Sequence, residues 1–167
     1  MEPAVKPAAL HSNSGVIGVL ATAATFQGEL FASLVDRHGN GVEVLPIVGV
    51  GLAGLVEAGG EGTPEAKETV ADLLTAPLDR GMDTLVLGCT HYSFLTETIA
   101  TVAGDRVTII DPAPAVAQQV VRVLDAESLR GESDRPGRVH VATTGDPGPF
   151  GRHVERLLGD VDEVGRW

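Results

Sequence analysis

The chain has 167 residues, enough for one α/β domain and part of another, with 43% hydrophobic and 21% charged residues, an ordinary balance for a globular chain. Its formal charge of −11 repels phosphate backbones and anionic lipid faces, so neither nucleic acid nor a membrane is an expected partner. No apolar run reaches the roughly 18 residues that span a bilayer, Met1-Glu2-Pro3-Ala4 lacks the pattern of a signal peptide, and the cytoplasm is the expected location. A single cysteine excludes an internal disulfide framework and a multi-cysteine zinc site.

Short apolar runs alternate with helix-period stretches along most of the chain. Val16-Ile17-Gly18-Val19-Leu20 reads as a buried strand, and Phe26, Leu30, Phe31, Leu34 and Val35 then fall at helical spacing up to Gly39. Val42 to Pro46 is a second strand, and Leu52, Leu55 and Val56 mark a short helix before Gly59-Gly60. Thr63-Pro64-Glu65 is an N-cap, an N1 proline and a first-turn acid; Val70, Leu73, Leu74 and Leu78 form the stripe, and Gly81 the stop. Thr84 to Gly88 is a third strand, followed by a helix through Phe94, Leu95, Ile99 and Val102. Val107 to Ile110 is a fourth, and Asp111-Pro112 opens a helix through Val116, Val120 and Leu124.

After a polar connection, Asp125 to Gly137, come a fifth strand at Val139 to Ala142 and a helix from Asp146-Pro147 to Gly159. The tail, Asp160 to Trp167, is weakly patterned. Continuous apolar strands alternating with helices imply a parallel sheet covered on both faces, here four strands in the order 2-1-3-4.

Cys89-Thr90-His91 directly follows the third strand, at the carboxyl end where open α/β sheets bind ligands. A following helix would favour a thiolate there, and His91 could exchange a proton with the thiol or its substrate. Position alone leaves Cys89 open to two readings, a reactive thiol or a small buried hydrophobe; the flanking Gly88, Thr90 and His91 favour chemistry. Thr22 and Thr25 follow the first strand in the same way, as carboxylate donors or as ordinary helix caps. Glu57 reads more readily as a solvated charge than as a catalytic acid, and His11, His38, His140 and His153 have no metal-ligand spacing. No glycine-rich phosphate loop occurs, so no nucleotide cofactor is expected.

The string Leu85-Val86-Leu87-Gly88-Cys89-Thr90-His91-Tyr92 resembles the second cysteine motif of bacterial glutamate racemases. Gly18 to Thr25 is similar to the threonine loop of that family, although Ala24 and Gly28 stand where glycine and serine are usual, and a cysteine common near Gly49 is missing. Glu2 to Ala8, Asp111 to Ala117 and Thr144-Gly145-Asp146-Pro147 resemble further family segments, in order along the chain.

The resemblance implies interconversion of L- and D-glutamate for peptidoglycan synthesis, with no metal, pyridoxal phosphate or nucleotide. Two cysteines from two similar domains would flank the substrate's α-carbon. Cys89 would be one of them, with His91 assisting and Thr90, Thr22 and Thr25 binding glutamate. The family's first-cysteine segment has no counterpart here. Residues 1–116 are therefore expected to form the second racemase-type domain, and 117–167 a closing strand and helix of an incomplete first domain. One thiol on one face cannot invert a stereocentre, so the chain alone is expected to be inactive as a racemase. Apolar surface left open around the closing elements would invite self-association. Two alternatives stay open: a non-catalytic binding protein on a racemase half-fold, and a fragment of a related aspartate or hydantoin racemase.

Overall fold

The computed structural model describes residues 2–28, 31–33, 41–131 and 137–167. The chain divides into two compact units, Met1–Val123 and Leu124–Trp167.

The first unit is built on four parallel strands, β1 (Val16–Ala21), β2 (Glu43–Val48), β3 (Thr84–Leu87) and β4 (Thr108–Ile110), in the expected order β2-β1-β3-β4. β1 runs beside β2 with Val19 opposite Pro46 and beside β3 with Leu20 opposite Leu87; β3 pairs β4 with Leu85 opposite Ile109. Pro46 sits on an edge strand, where a sheet tolerates a residue without an N–H.

The central strands are apolar at nearly every position because both faces are covered. Ile17, Val19 and Ala21 form one buried cluster with Val86 and with Val5 and Ala8 of helix α1 (Glu2–His11). Gly18 faces the other way, where an added Cβ would lie 2.3 Å from Met82 Sδ and 3.0 Å from both Ile47 and Leu85, so only glycine fits without movement. Each fully buried Leu, Ile or Val contributes about 1.5–3 kcal/mol, which makes these strands the main source of stability.

Three elements of the first unit differ from the sequence expectation. Helix α1 was not anticipated; it carries Pro7 in its interior. The helix after β1 is interrupted: α2 covers Ala23–Gln27 and ends at Gly28, whose φ of −82° and ψ of 138° are extended. Helical backbone is present again at 31–33, while Leu30, Leu34, Val35 and Gly39 lie outside the described residues. After β3 the chain forms a 3₁₀ helix, Thr90–Leu95, before helix α5 (Thr96–Ala103), instead of one continuous α-helix. Between β2 and β3 lie α3 (Leu52–Glu57) and α4 (Pro64–Asp79), the latter capped as expected by Thr63 Oγ1, which accepts from Ala66 N–H at 3.2 Å.

The amino end of the sheet is tied by one carboxylate. Asp83 accepts from Ser12 Oγ, Asn13 N–H and Ser14 N–H, each at 2.7 Å, and from Thr84 Oγ1 at 3.0 Å. Desolvation pushes the Asp83 carboxyl up, but these hydrogen bonds outweigh it and lower the pKa from 3.8 to about 2.

Helix α6 (Ala113–Ala126) has no buried residue, and Val116, Val120, Val121 and Val123 stay between 42% and 53% exposed. The second unit contains β5 (His140–Thr143), α7 (Pro147–Leu158) and β6 (Glu163–Arg166). β5 and β6 pair in parallel, so the tail that looked unpatterned is a strand and the closing piece is strand–helix–strand. Asp146 caps α7 by accepting from Gly148 N–H at 2.9 Å. Val154 is the buried apolar side chain of this unit among the described residues, while Val139, Leu158 and Trp167 are exposed.

Candidate active site

Three loops meet at the carboxyl end of the sheet because β1 lies between β2 and β3. Gly88 N–H donates to the Leu20 carbonyl at 2.7 Å, and Gly49 N–H to the Ala21 carbonyl at 3.0 Å. These bonds extend the ladder one step past the strands and draw together the segments starting at Thr22, Gly49 and Cys89.

Cys89 is half-buried, with an extended backbone, and precedes the 3₁₀ helix. Its Sγ lies 3.9 Å from His91 Nδ1, a long sulfur hydrogen bond. The other ring nitrogen of His91 lies 3.2 Å from Glu57 Oε1. Thiol, imidazole and carboxylate thus form a row, and the carboxylate can orient the ring while the ring exchanges a proton with sulfur. The sequence reading takes Glu57 for a solvated charge; its side chain is indeed 65% exposed, yet it reaches His91. The two are 34 residues apart, and only the adjacency of the β2 and β3 loops brings them together.

Thr22 and Thr25 are half-buried, and their hydroxyls lie 2.9 Å apart. Thr22 makes no side-chain cap to the backbone, so ordinary capping is not its role here. The two threonines meet each other, and Cys89 meets His91, on loops leaving neighbouring strands at the same end of the sheet. Thr90 is exposed and, with Cys89, Ser93, Asp111, Pro112 and Val116, lines an open cleft of about 420 Å³. Asp111 and Pro112 enter that cleft as the turn after β4; the sequence marked them only as a helix start.

Tyr92 went unassigned in the sequence and is the largest fully buried side chain. Its hydroxyl donates to the Gly49 carbonyl at 3.0 Å. Burial, and secondarily the charge on Cys89, hold its phenol above the ordinary value.

The family described as Asp/Glu/Hydantoin racemase matches residues 1–120. The chain is 42% identical to a glutamate racemase of Roseiflexus sp. (strain RS-1) over 98% of its length and 61% of that protein's. It is 45% identical to one of Pseudomonas putida KT2440 over 98% of its length and 62% of that protein's. Among solved structures, glutamate racemase isoform RacE1 from Bacillus anthracis superposes with a TM-score of 0.85 at 29% identity, covering 98% of this chain and 61% of that one. Glutamate racemase from Thermus thermophilus, solved with β-chloro-D-alanine, gives 0.80 at 33% identity, covering 99% of this chain and 60% of that one. The chain therefore spans about three fifths of the length of the relatives it matches.

Proposed function

The chain belongs to the Asp/Glu/Hydantoin racemase family, and from that premise we propose that it provides one proton-transfer face of a glutamate racemase serving peptidoglycan synthesis. The observation that carries this reading is the half-buried Cys89 thiol beside His91 at the carboxyl end of the sheet. The name shared by the similar proteins is what points to glutamate as the substrate.

In this mechanism the Cys89 thiolate takes the α-proton: the C–H bond breaks, the proton goes to sulfur, and the electron pair spreads into the adjacent carboxylate. His91, oriented by Glu57, relays the proton from sulfur. Thr22 and Thr25 donate to the substrate's carboxylates, and Thr90 contacts its polar groups. Inversion then needs a donor on the opposite face of the carbanion. The 167 residues carry one cysteine, and Cys89 and His91 come from one loop. The opposing group is supplied by the additional fold of a full-length racemase, to which residues 117–167 contribute, while 1–116 form the second domain. The soluble substrate and the cytoplasmic site of D-glutamate use belong to the same reading.

Incubating each glutamate enantiomer with the chain in deuterated water tests it. The expected result is α-deuterium incorporation with retained configuration in L-glutamate, the enantiomer whose α-hydrogen would face Cys89, lost in Cys89→Ala, and no net D-glutamate from L-glutamate. Efficient racemisation by these 167 residues alone would overturn the one-face mechanism. A second reading, a binding protein on the same half-fold, is favoured by the open valine row of α6; it predicts no exchange with either enantiomer.

A further inference from the structure

The site has a buried member that the proton-transfer scheme does not use. Tyr92 is fully buried in the 3₁₀ helix that begins at Thr90, and two bonds tie it in opposite directions. Its own N–H donates to the Cys89 carbonyl at 3.0 Å, closing a turn on the cysteine. Its hydroxyl donates to the Gly49 carbonyl at 3.0 Å, across to the loop after β2.

That loop is shaped to receive it. A Cβ at Gly49 would lie 2.4 Å from the Tyr92 hydroxyl oxygen and 2.7 Å from the ring carbon bearing it, so the ring packs directly on bare backbone. Gly49 N–H is held by the Ala21 carbonyl at the end of β1. Two residues on, Gly51 takes a φ of +79° and starts α3, the helix that ends in Glu57. The β2 loop is thus pinned at Gly49 by Tyr92, and its helix reaches back to His91 through Glu57.

We propose that Tyr92 is a positioning residue: its hydroxyl, bonded to the Gly49 carbonyl, locks the β2 loop to the cysteine loop and so sets the spacing of Cys89, His91 and Glu57. The inference rests on the reading of Cys89 and His91 as the reactive pair, and it adds a fully buried residue outside the lining of the cleft. The hydroxyl is committed to a carbonyl, so it holds geometry and passes no proton to sulfur. A glycine at position 49 is needed because any side chain there would occupy the space of the phenol.

The single cysteine allows a test free of substrate, because alkylation by iodoacetamide reports Cys89 alone. Tyr92→Phe keeps the ring and removes the hydroxyl, and the Gly49 carbonyl still accepts from Leu52 N–H at 3.4 Å, so the fold should survive. The expected result is a change of about fivefold or more in the Cys89 alkylation rate, with an altered pH profile and an unchanged far-UV circular dichroism spectrum. Gly49→Ala, which keeps the tyrosine but displaces its ring, should reproduce the altered profile, and the double variant should add little to either single one. Parent-like profiles in both variants, or a change in only one, would overturn the lock. So would loss of the folded spectrum in Tyr92→Phe, which would assign the tyrosine to core packing. None of these outcomes depends on glutamate, so failure here is separable from failure of the deuterium-exchange test.

Discussion

The two ends of the four-stranded sheet are built on opposite terms. At the amino end one carboxylate, Asp83, accepts four hydrogen bonds from the turn after α1 and from Thr84, and every donor is satisfied within the fold. At the carboxyl end the backbone ladder runs one step past the strands, and then reactive side chains take over: a half-buried thiol paired with an imidazole and two hydroxyls paired with each other, with the thiol and Thr90 lining a cleft of about 420 Å³. The same strands thus carry a saturated carboxylate clamp at one end and a thiol opening onto a cleft at the other. Closure of hydrogen bonds stabilises; polar groups left open to the cleft are available to a ligand.

Asp83→Ala breaks the saturated end and should have the largest effect. It removes the acceptor of the part-buried Ser12 and Thr84 hydroxyls and of the Asn13 and Ser14 N–H groups, which water can reach, at a cost of about 2 kcal/mol in urea unfolding. The Cys89 alkylation rate of the folded protein should be untouched, since the two residues sit at opposite ends of β3. Coupled changes would show that the two ends are not independent.

Acid sharpens the same comparison. The folded Asp83 carboxyl titrates near 2, against an ordinary 3.8, so the folded state prefers the carboxylate. Its contribution is fully present above the unfolded value and is lost as pH falls from about 4 toward about 2, amounting to at most about 2 kcal/mol. Denaturant melts at stepped pH should show this acid limb in the parent and a flatter one in Asp83→Asn. Equal limbs would remove the clamp from the account.

How legible this was in the sequence depended on the range of each interaction. The four strands and their order followed from apolar runs and short connections, both local, and the caps at Thr63 and Asp146 announced themselves within four residues. β6 was missed because Glu163-Val164-Gly165-Arg166 has no alternation of its own; it is a strand by virtue of pairing with β5, 23 residues earlier from Glu163 to His140. The helix after β1 was drawn as continuous because periodicity through Phe26 and Phe31 outweighed Gly28, where the backbone turns extended and interrupts it. The 3₁₀ start after Cys89 lay outside what a 3.6-residue period can distinguish over six residues. Cys89, His91 and the two threonines were visible as residues on strand-end loops. Glu57 and Tyr92 were not, because each acts on a partner 34 or 43 residues away.

The smallest effect concerns Glu57, where exposure and geometry pull apart. Its carboxylate is 65% exposed and its partner ring 33% exposed, so water screens the pair and Glu57→Gln should change stability by less than about 0.5 kcal/mol. Glutamine keeps an oxygen able to accept from the His91 ring but removes the charge that steadies a protonated imidazole. If His91 relays the proton from Cys89, α-deuterium exchange should slow by about tenfold with little change in KM, because the loss falls on proton transfer and not on binding. The comparison with Asp83 is then complete: the closed carboxylate would govern unfolding and leave Cys89 alone, and the open one would govern the proton and leave unfolding alone. Parent-like exchange in Glu57→Gln would return the residue to a solvated charge and leave His91 oriented by the loop and not by a carboxylate.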